Sequence, residues 1–327
     1  MTRSSAVQAI RTAGLWLAVR LGRAVILLLA ASILAFGLLQ LSAGDAVASR
    51  AGDTGLTPQQ YAELRHELGL DQPIIVRYAD WLSHAVRGDL GVSLANSQPV
   101  TSLIASHLPV TLSLAFLAGL LTIVFAIVFG VVAAVFENRW PDRVITIWSS
   151  AAVAAPTFFI GLVLVLVFAL QAGLLPATGF VSLIDDPLEY LKHLLLPAAT
   201  LAIPYSAGVG RQLRNSMVTV LGMDYVRAAE AKGMPWWQVV LKHGLRNAAI
   251  PAVTLFGLEL IALFGGAVLV EAVFALPGIG TLAVSAVLAR DSTTILGILM
   301  IACLTAIVIN SLVDVTYGVL NPRLRSS

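Results

Sequence analysis

The chain reads as an all-α polytopic membrane protein with six transmembrane helices and both termini in the cytoplasm. Three observations predict this fold class. The 327 residues are 58% hydrophobic and only 12% charged, against about 45–50% and about 25% in soluble domains, and the mean hydropathy is +0.89. Long stretches carry no Asp, Glu, Lys or Arg: 24–44, 90–136, 144–184, 193–210 and 292–313. The basic residues fall unequally on alternate sides of those stretches. Disorder, collagen-like repeats and an ordinary soluble enzyme are thereby excluded. The single cysteine, Cys303, excludes a disulfide framework and a Cys-rich metal site.

A spanning helix needs about 20 mostly apolar residues. Five fit at roughly 20–42, 110–136, 144–171, 193–210 and 293–317. The fourth is short and contains Pro197 and Pro204; the fifth is stretched to take in Asp314. A sixth run, 248–273, is apolar except for Glu259 and Glu271. Backbone polar groups in hydrocarbon must be paired within the segment, so these runs are expected to be helices. A transmembrane barrel would instead show alternating strands of about ten residues. The chain divides into 1–19 as a cytoplasmic segment, 20–42 as the first span, 43–109 as an extracytoplasmic helical segment, 110–317 as the remaining spans with a cytoplasmic loop at 211–247, and 318–327 as a cytoplasmic tail. Ala46-Val47-Ala48 resembles a cleavage site, but the preceding apolar run exceeds the usual 7–15 residues, so the first span is expected to stay uncleaved.

Orientation follows from Lys and Arg. The N-terminal segment, the 137–143 loop, the 211–247 loop and the tail together hold 14 basic residues; the other side holds 6, with eleven of the eighteen acids. The 14-residue side is expected to be cytoplasmic. The net charge of +2 conceals this split.

In the outer segment, Thr57-Pro58-Gln59-Gln60 reads as a capping box with Pro at the first helical position, opening a helix that ends at Gly69. A second helix runs from about Pro73 to Arg87 and stops at Gly88. Ile74, Tyr78, Trp81 and Ala85 are its apolar face. These helices suit a small cap on the membrane domain; the alternative is a docking surface for an external partner.

The 211–247 loop is long, basic and helical in pattern. Leu221-Gly222-Met223-Asp224 supplies a break and a cap. Tyr225 to Lys232 is Ala-rich and favours helix. Asp224, Arg227 and Glu230 share one face at spacings of three. Gly233 ends this helix and Pro235 opens another, Trp236 to Asn247, leading into the next span. Two short helices joined by a fixed turn are suited to pushing on a partner; the plainer alternative is a solvated linker with interfacial tryptophans.

Here the sequence resembles a known family. Tyr225-Val226-Arg227-Ala228-Ala229-Glu230-Ala231-Lys232-Gly233, followed by Leu245-Arg246-Asn247-Ala248 and Pro251, is similar to the cytoplasmic loop of ABC importer permeases, and more narrowly to the dipeptide/oligopeptide/nickel permeases. Further motifs resemble that family in order. They are Leu64-Arg65-His66-Glu67-Leu68-Gly69-Leu70-Asp71-Gln72-Pro73, Arg87-Gly88-Asp89-Leu90-Gly91-Val92-Ser93-Leu94, Glu271-Ala272-Val273-Phe274, Pro277-Gly278-Ile279-Gly280, Ala289-Arg290-Asp291 and Asn321-Pro322-Arg323. The outer segment after the first span matches the first of the two permeases in such systems. Arg227 stands where general importer loops carry Glu, and the resemblance leaves open whether Glu230 takes over its polar contact.

The resemblance implies a type I ABC importer permease (MetI-like) in a bacterial inner membrane. Its partners would be a homologous second permease subunit, two cytoplasmic ATPase subunits and an extracytoplasmic solute-binding protein, with the lipid bilayer around it and no nucleic acid. The loop would be a coupling helix that carries ATPase motion to the spans. Asp224, Arg227, Glu230 and Lys232 would form its polar docking face, with Tyr225 beside them. Ala228, Ala229 and Gly233 would allow close approach. The chain would bind no cofactor, since it contains no Gly-x-x-x-x-Gly-Lys-Ser/Thr phosphate loop; ATP and Mg would sit on the ATPases. Peptides are the implied cargo; nickel chelates, glutathione and some glycosides use similar permeases.

Glu259, Glu271 and Asp314 lie within spans. An intramembrane acid points to a pathway or a relay by default, or else pairs with a polar group on a neighbouring helix. Glu259 is the deepest, Glu271 lies near the outer end, and Asp314 has Asn310 and Ser311 within a turn. A proton-coupled secondary transporter could use Glu259 or Glu271, although no inverted repeat accompanies them. A channel would use Pro277-Gly278-Ile279-Gly280 as a re-entrant loop. The five histidines are scattered without ligand spacing, and no nucleophile elbow occurs, so no catalytic residues are expected.

Overall fold

In the computed structural model, residues 3–41, 57–67 and 71–320 are described. Leu68-Gly69-Leu70, Ala46-Val47-Ala48, the Asn321-Pro322-Arg323 motif and the basic residues of the tail fall outside them. So does the side chain of Asp314, although its backbone belongs to the last helix.

Among the described residues every regular segment is helical. In chain order they are α1 (Arg3–Leu41), α2 (Pro58–Glu67), α3 (Ile74–Ala85), α4 (Val100–Val135), α5 (Trp140–Ala154), α6 (Thr157–Leu164), α7 (Pro187–Leu221), α8 (Asp224–Ala231), α9 (Trp236–Gln238), α10 (Arg246–Phe274), α11 (Ile279–Leu288) and α12 (Ser292–Leu320). Wider π-helical turns extend α6 over Val165–Gln171 and join α9 to α10 over Val239–Leu245. The chain forms two compact units, residues 1–106 with 283–308, and residues 107–282 with 309–327.

Among the described residues four helices are long and apolar enough to cross a membrane: Val19–Leu39, Val100–Val135, Trp236–Phe274 and Ser292–Val313. A fifth arises if α5 and α6 with its π-helical extension count as one broken span. The sequence reads 144–171 as one run, but the chain turns by 111° at Ala155-Pro156. Proline disfavours helical geometry in the residue before it, and Ala155 is extended (φ −76, ψ 134).

The run expected at 193–210 lies inside α7, a helix of 35 residues that is not among the four. Its composition is diluted by Pro197, Pro204, Tyr205 and Ser206. Burial explains this. Leu194, Ala198, Leu201, Ala207, Leu213 and Met217 are all enclosed, because α7 packs against α5, α6 and α10. A helix wrapped by protein needs no continuous apolar surface for lipid, and small residues let its neighbours approach. At Gly130 a Cβ would lie 2.8 Å from the Gly210 carbonyl oxygen, so α4 and α7 meet backbone to backbone there.

In the first unit, Phe36 of α1 meets Tyr78 and Trp81 of α3 at ring-centroid distances of 5.5 and 6.0 Å. Ser32 and Tyr78 share a hydrogen bond of 2.8 Å. Tyr78 and Trp81 of the apolar face read from sequence thus pack α3 on the first span, while Ile74 is exposed. The capping box at Thr57 forms as expected: the Gln60 backbone N–H donates to Thr57 Oγ1, and the Thr57 N–H donates to Gln60 Oε1. Asp291 is buried before α12 and accepts from the Ser93 hydroxyl, the Leu94 N–H, and the Thr294 N–H and hydroxyl. Burial alone would raise its pKa; these four bonds outweigh it and hold the carboxyl below its ordinary value. The Gly91-Val92-Ser93-Leu94 and Ala289-Arg290-Asp291 motifs are therefore two halves of one joint.

Candidate functional site

The second unit builds two arrangements with functional content. The first is the inner loop. Helix α7 ends at Gly222, Met223 is extended (φ −75, ψ 149), and α8 begins at Asp224. Asp224 therefore occupies the first turn rather than the capping position, where its charge still complements the helix N-terminus. The helix closes in a Schellman arrangement: the Gly233 N–H donates to the Glu230 carbonyl and the Met234 N–H to the Ala229 carbonyl. Gly233 has φ +81, the left-handed region that favours glycine.

Val226 anchors the helix. It is fully buried in a cluster with Met217, Val220, Val239 and Val240. Around that anchor Asp224, Tyr225, Arg227, Ala228, Glu230, Lys232 and Gly233 are exposed, and Ala229 is half-buried. Arg227 and Asp224 approach only to 3.8 Å, with both side chains largely in solvent. Such a pair contributes little to stability, so these charges are available to a partner.

Three contacts stiffen the mounting, and the sequence reading did not identify them. Asn247 donates to the Tyr225 hydroxyl (3.0 Å) and to the His243 carbonyl (2.9 Å), tying α8 to the base of α10. A Cβ at Gly244 would lie 3.1 Å from Leu221 Cδ2, so glycine lets the π-helical turn lie on the end of α7. The Arg214 guanidinium makes two bonds to the buried carboxylate of Asp142, Nε to Oδ1 at 2.7 Å and Nη2 to Oδ2 at 2.6 Å. The Asn138 N–H adds a third bond. This joins the short α4–α5 loop to the α7 end from which α8 hangs. The signal was present as Trp140-Pro141-Asp142-Arg143, but its partner is 72 residues away.

The second arrangement involves the acids of α10. Glu271 is fully buried. Its Oε1 accepts from the Thr111 hydroxyl of α4 (2.6 Å), and its Oε2 accepts from the N–H groups of Gly280 and Thr281 (2.8 and 3.1 Å) at the start of α11. Thr111 Oγ1 in turn accepts from the Ile279 N–H. The carboxylate thus caps α11 and fastens the Pro277-Gly278-Ile279-Gly280 turn to α4. A Cβ on Gly278 would run into the Glu271 carboxyl, and one on Gly280 would lie 2.5 Å from the Val268 Cα. Both glycines are needed for this close approach. Glu259 differs: it is half-buried at the middle of α10, and among the described residues its carboxylate has no hydrogen bond or ion pair. No group of three or more His, Cys, Asp or Glu that could hold a metal occurs among the described residues.

Comparison with known proteins is consistent along the whole chain. Residues 126–326 match the family described as binding-protein-dependent transport system inner membrane component, and residues 15–115 match the N-terminal part of such membrane components. A chain of Brucella abortus (strain 2308), named as a peptide transport system permease protein, is 39% identical over 94% of this chain and 97% of its own length. The glutathione transport system permease protein GsiC of Escherichia coli (strain K12) is 39% identical over 90% of this chain and 93% of its own. Among solved structures, an inward-facing MetNI methionine ABC transporter chain aligns with a TM-score of 0.56 at 18% identity, covering 67% of this chain and 96% of that one. That likeness concerns the fold.

Proposed function

This chain belongs to the family of binding-protein-dependent transport system inner membrane components, and from that premise we propose that it forms half of a translocation pathway for di- and oligopeptides. It is a multi-pass inner-membrane permease subunit of an ATP-driven importer, with hydrolysis on separate ATPase subunits. Six spans are assigned to α1, α4, the bent α5–α6 pair, α7, Trp236–Phe274 and α12, with both termini cytoplasmic. An even number of spans fits the 14-to-6 split of basic residues, and the extensive burial of α7 supports its inclusion.

The observation that carries the reading is α8. It is short, exposed on its charged face, buried through Val226 and stapled to α7 and α10. A helix mounted in this way transmits displacement to the spans. The complex would contain a homologous second permease, two ATPase subunits that bind ATP and Mg, and an extracytoplasmic solute-binding protein. ATP binding closes the ATPase pair and opens the pathway outward; hydrolysis returns it inward. Relatives named for peptide and for glutathione transport support a peptide cargo, since glutathione is itself a tripeptide.

The complete complex in proteoliposomes tests this reading. Peptide uptake from loaded binding protein is expected to require ATP, to vanish when both ATPases carry an inactivated phosphate loop, and to survive a protonophore. Uptake that persists without ATP and collapses with the proton gradient would assign the chain to secondary transport instead.

A further inference from the structure

Glu259 lies thirteen residues from the start of α10 and fifteen from its end, so about 20 Å of helix extends to either side. Half-buried and unpaired, it contrasts with Glu271 on the same helix, which is fully buried and fully hydrogen-bonded. A structural acid in this fold is thus enclosed and satisfied, and Glu259 is neither.

Its surroundings are specific. Leu258, Ala262, Gly265 and Leu269 are exposed at steps of four, three and four residues, which is one face of α10, and Glu259 borders that face. A Cβ on Gly265 would meet open space. On the facing helix α7, the Tyr205 hydroxyl donates its proton to the Ala262 carbonyl at 3.0 Å. A Cβ on Gly208 would lie 3.6 Å from Glu259 Oε1, so glycine at that position leaves space beside the carboxylate. An ionised carboxylate bordering lipid at this depth is costly, and between the exposed Leu258 and Leu269 the small Ala262 and Gly265 leave room beside it. Such a face suits a polar cavity shared with a second subunit.

The chemistry of the cluster selects its ligand. Glu259 offers only acceptor oxygens. The Tyr205 hydroxyl has committed its proton to Ala262, so its oxygen is left to act as an acceptor. The Ala262 carbonyl is fully used, by the α10 ladder and by Tyr205. The two Glu259 oxygens and the Tyr205 oxygen, three acceptors with one negative charge, match a protonated primary amine, with three donors and one positive charge, and repel a carboxylate. We propose that Glu259, with the Tyr205 hydroxyl oxygen, is the station in the pathway that receives the ammonium group at the amino terminus of a transported peptide. The assignment rests on the importer reading above.

The test uses the complete reconstituted complex, one purified binding protein, and an equimolar mixture of di- to pentapeptides supplied with free and with N-acetylated amino termini. Glu259→Gln keeps the shape and removes the charge. It is expected to lower uptake of the free-amino set about tenfold or more, the scale of one charge-assisted hydrogen bond. Complex yield and ATPase stimulation by loaded binding protein are expected to be unchanged, as is uptake of the N-acetylated set. Tyr205→Phe is expected to fall between Glu259→Gln and wild type. Free-amino uptake within twofold of wild type in Glu259→Gln overturns the proposal. An equal fall for the N-acetylated set overturns the amine assignment. Loss of complex yield together with uptake assigns the carboxylate to a cation on a partner chain and also overturns it. ATP-independent uptake by the wild type overturns the importer reading itself, and this inference with it.

Discussion

Glu271→Ala is expected to unseat the turn between α10 and α11 and to prevent accumulation of a stable protein. Truncation leaves the Gly280 and Thr281 N–H groups and the Thr111 hydroxyl without their buried acceptor. Each such orphan costs about 1–3 kcal/mol, so the loss is on the order of 3–9 kcal/mol, a large share of the stability of most domains. Glu271→Gln is milder, because one amide oxygen still accepts from Gly280 and Thr281 while the amide nitrogen donates to Thr111 Oγ1. Gly280→Ala is expected to be as damaging as Glu271→Ala, since its Cβ meets backbone at Val268 rather than a movable side chain. Membrane yield and thermal unfolding of the detergent-solubilised complex measure this. Wild-type yield and melting temperature in both Glu271→Ala and Gly280→Ala would remove the carboxylate from this role.

Charge reversal at Arg227 or Glu230 is expected to separate hydrolysis from transport. Both side chains are exposed on α8, and the only ion pair there, Arg227 with Asp224, is long and solvated. Reversal therefore costs the isolated chain little. At an interface with an ATPase, a like-charge juxtaposition weakens or misdirects docking. Uptake is expected to fall about tenfold or more, with ATPase activity within about twofold of wild type and normal membrane yield. Val226→Asp gives the contrasting phenotype: it buries an unpaired charge among Val239, Val240 and Met217 and is expected to lower yield as well. If reversal at both positions leaves the uptake-to-hydrolysis ratio unchanged, the charged face of α8 is not the docking surface.

Features that depend on neighbouring residues were legible in the sequence. The Thr57 capping box, the end of α8 at Gly233 and the apolar face of α3 all form because cap chemistry and helical periodicity are local. The bend at Ala155-Pro156 also had a local signal, but a proline in an apolar run reads equally as a tolerated kink or a break. Long-range pairings were not legible. Asp142 with Arg214, Asn247 with Tyr225, and Glu271 with Thr111 join residues 72, 22 and 160 apart, and nothing in either partner's surroundings names the other. Helix α7 shows the same limit from the other side: hydropathy tests for lipid contact, and the middle of α7 is packed against α5, α6 and α10. Among the intramembrane acids, the sequence singled out Glu259, Glu271 and Asp314 and placed Glu259 deepest. Packing shows that Glu271 is enclosed and fastens a turn, whereas Glu259 is half-buried with no hydrogen bond or ion pair among the described residues.

The account turns on α8 receiving the motion of an ATPase. Cys303 is the only cysteine, so Cys303→Ser clears the background for a single engineered thiol. Ala228 is exposed on α8, and Ala228→Cys carrying a photoactivatable maleimide probes what lies against it in the reconstituted complex. Val86→Cys, at an exposed position after α3 on the opposite side of the assigned topology, is the control. The account predicts a covalent adduct between position 228 and an ATPase subunit, and none from position 86. Adducts from position 228 that never include an ATPase subunit, in a complex that still transports, would contradict it.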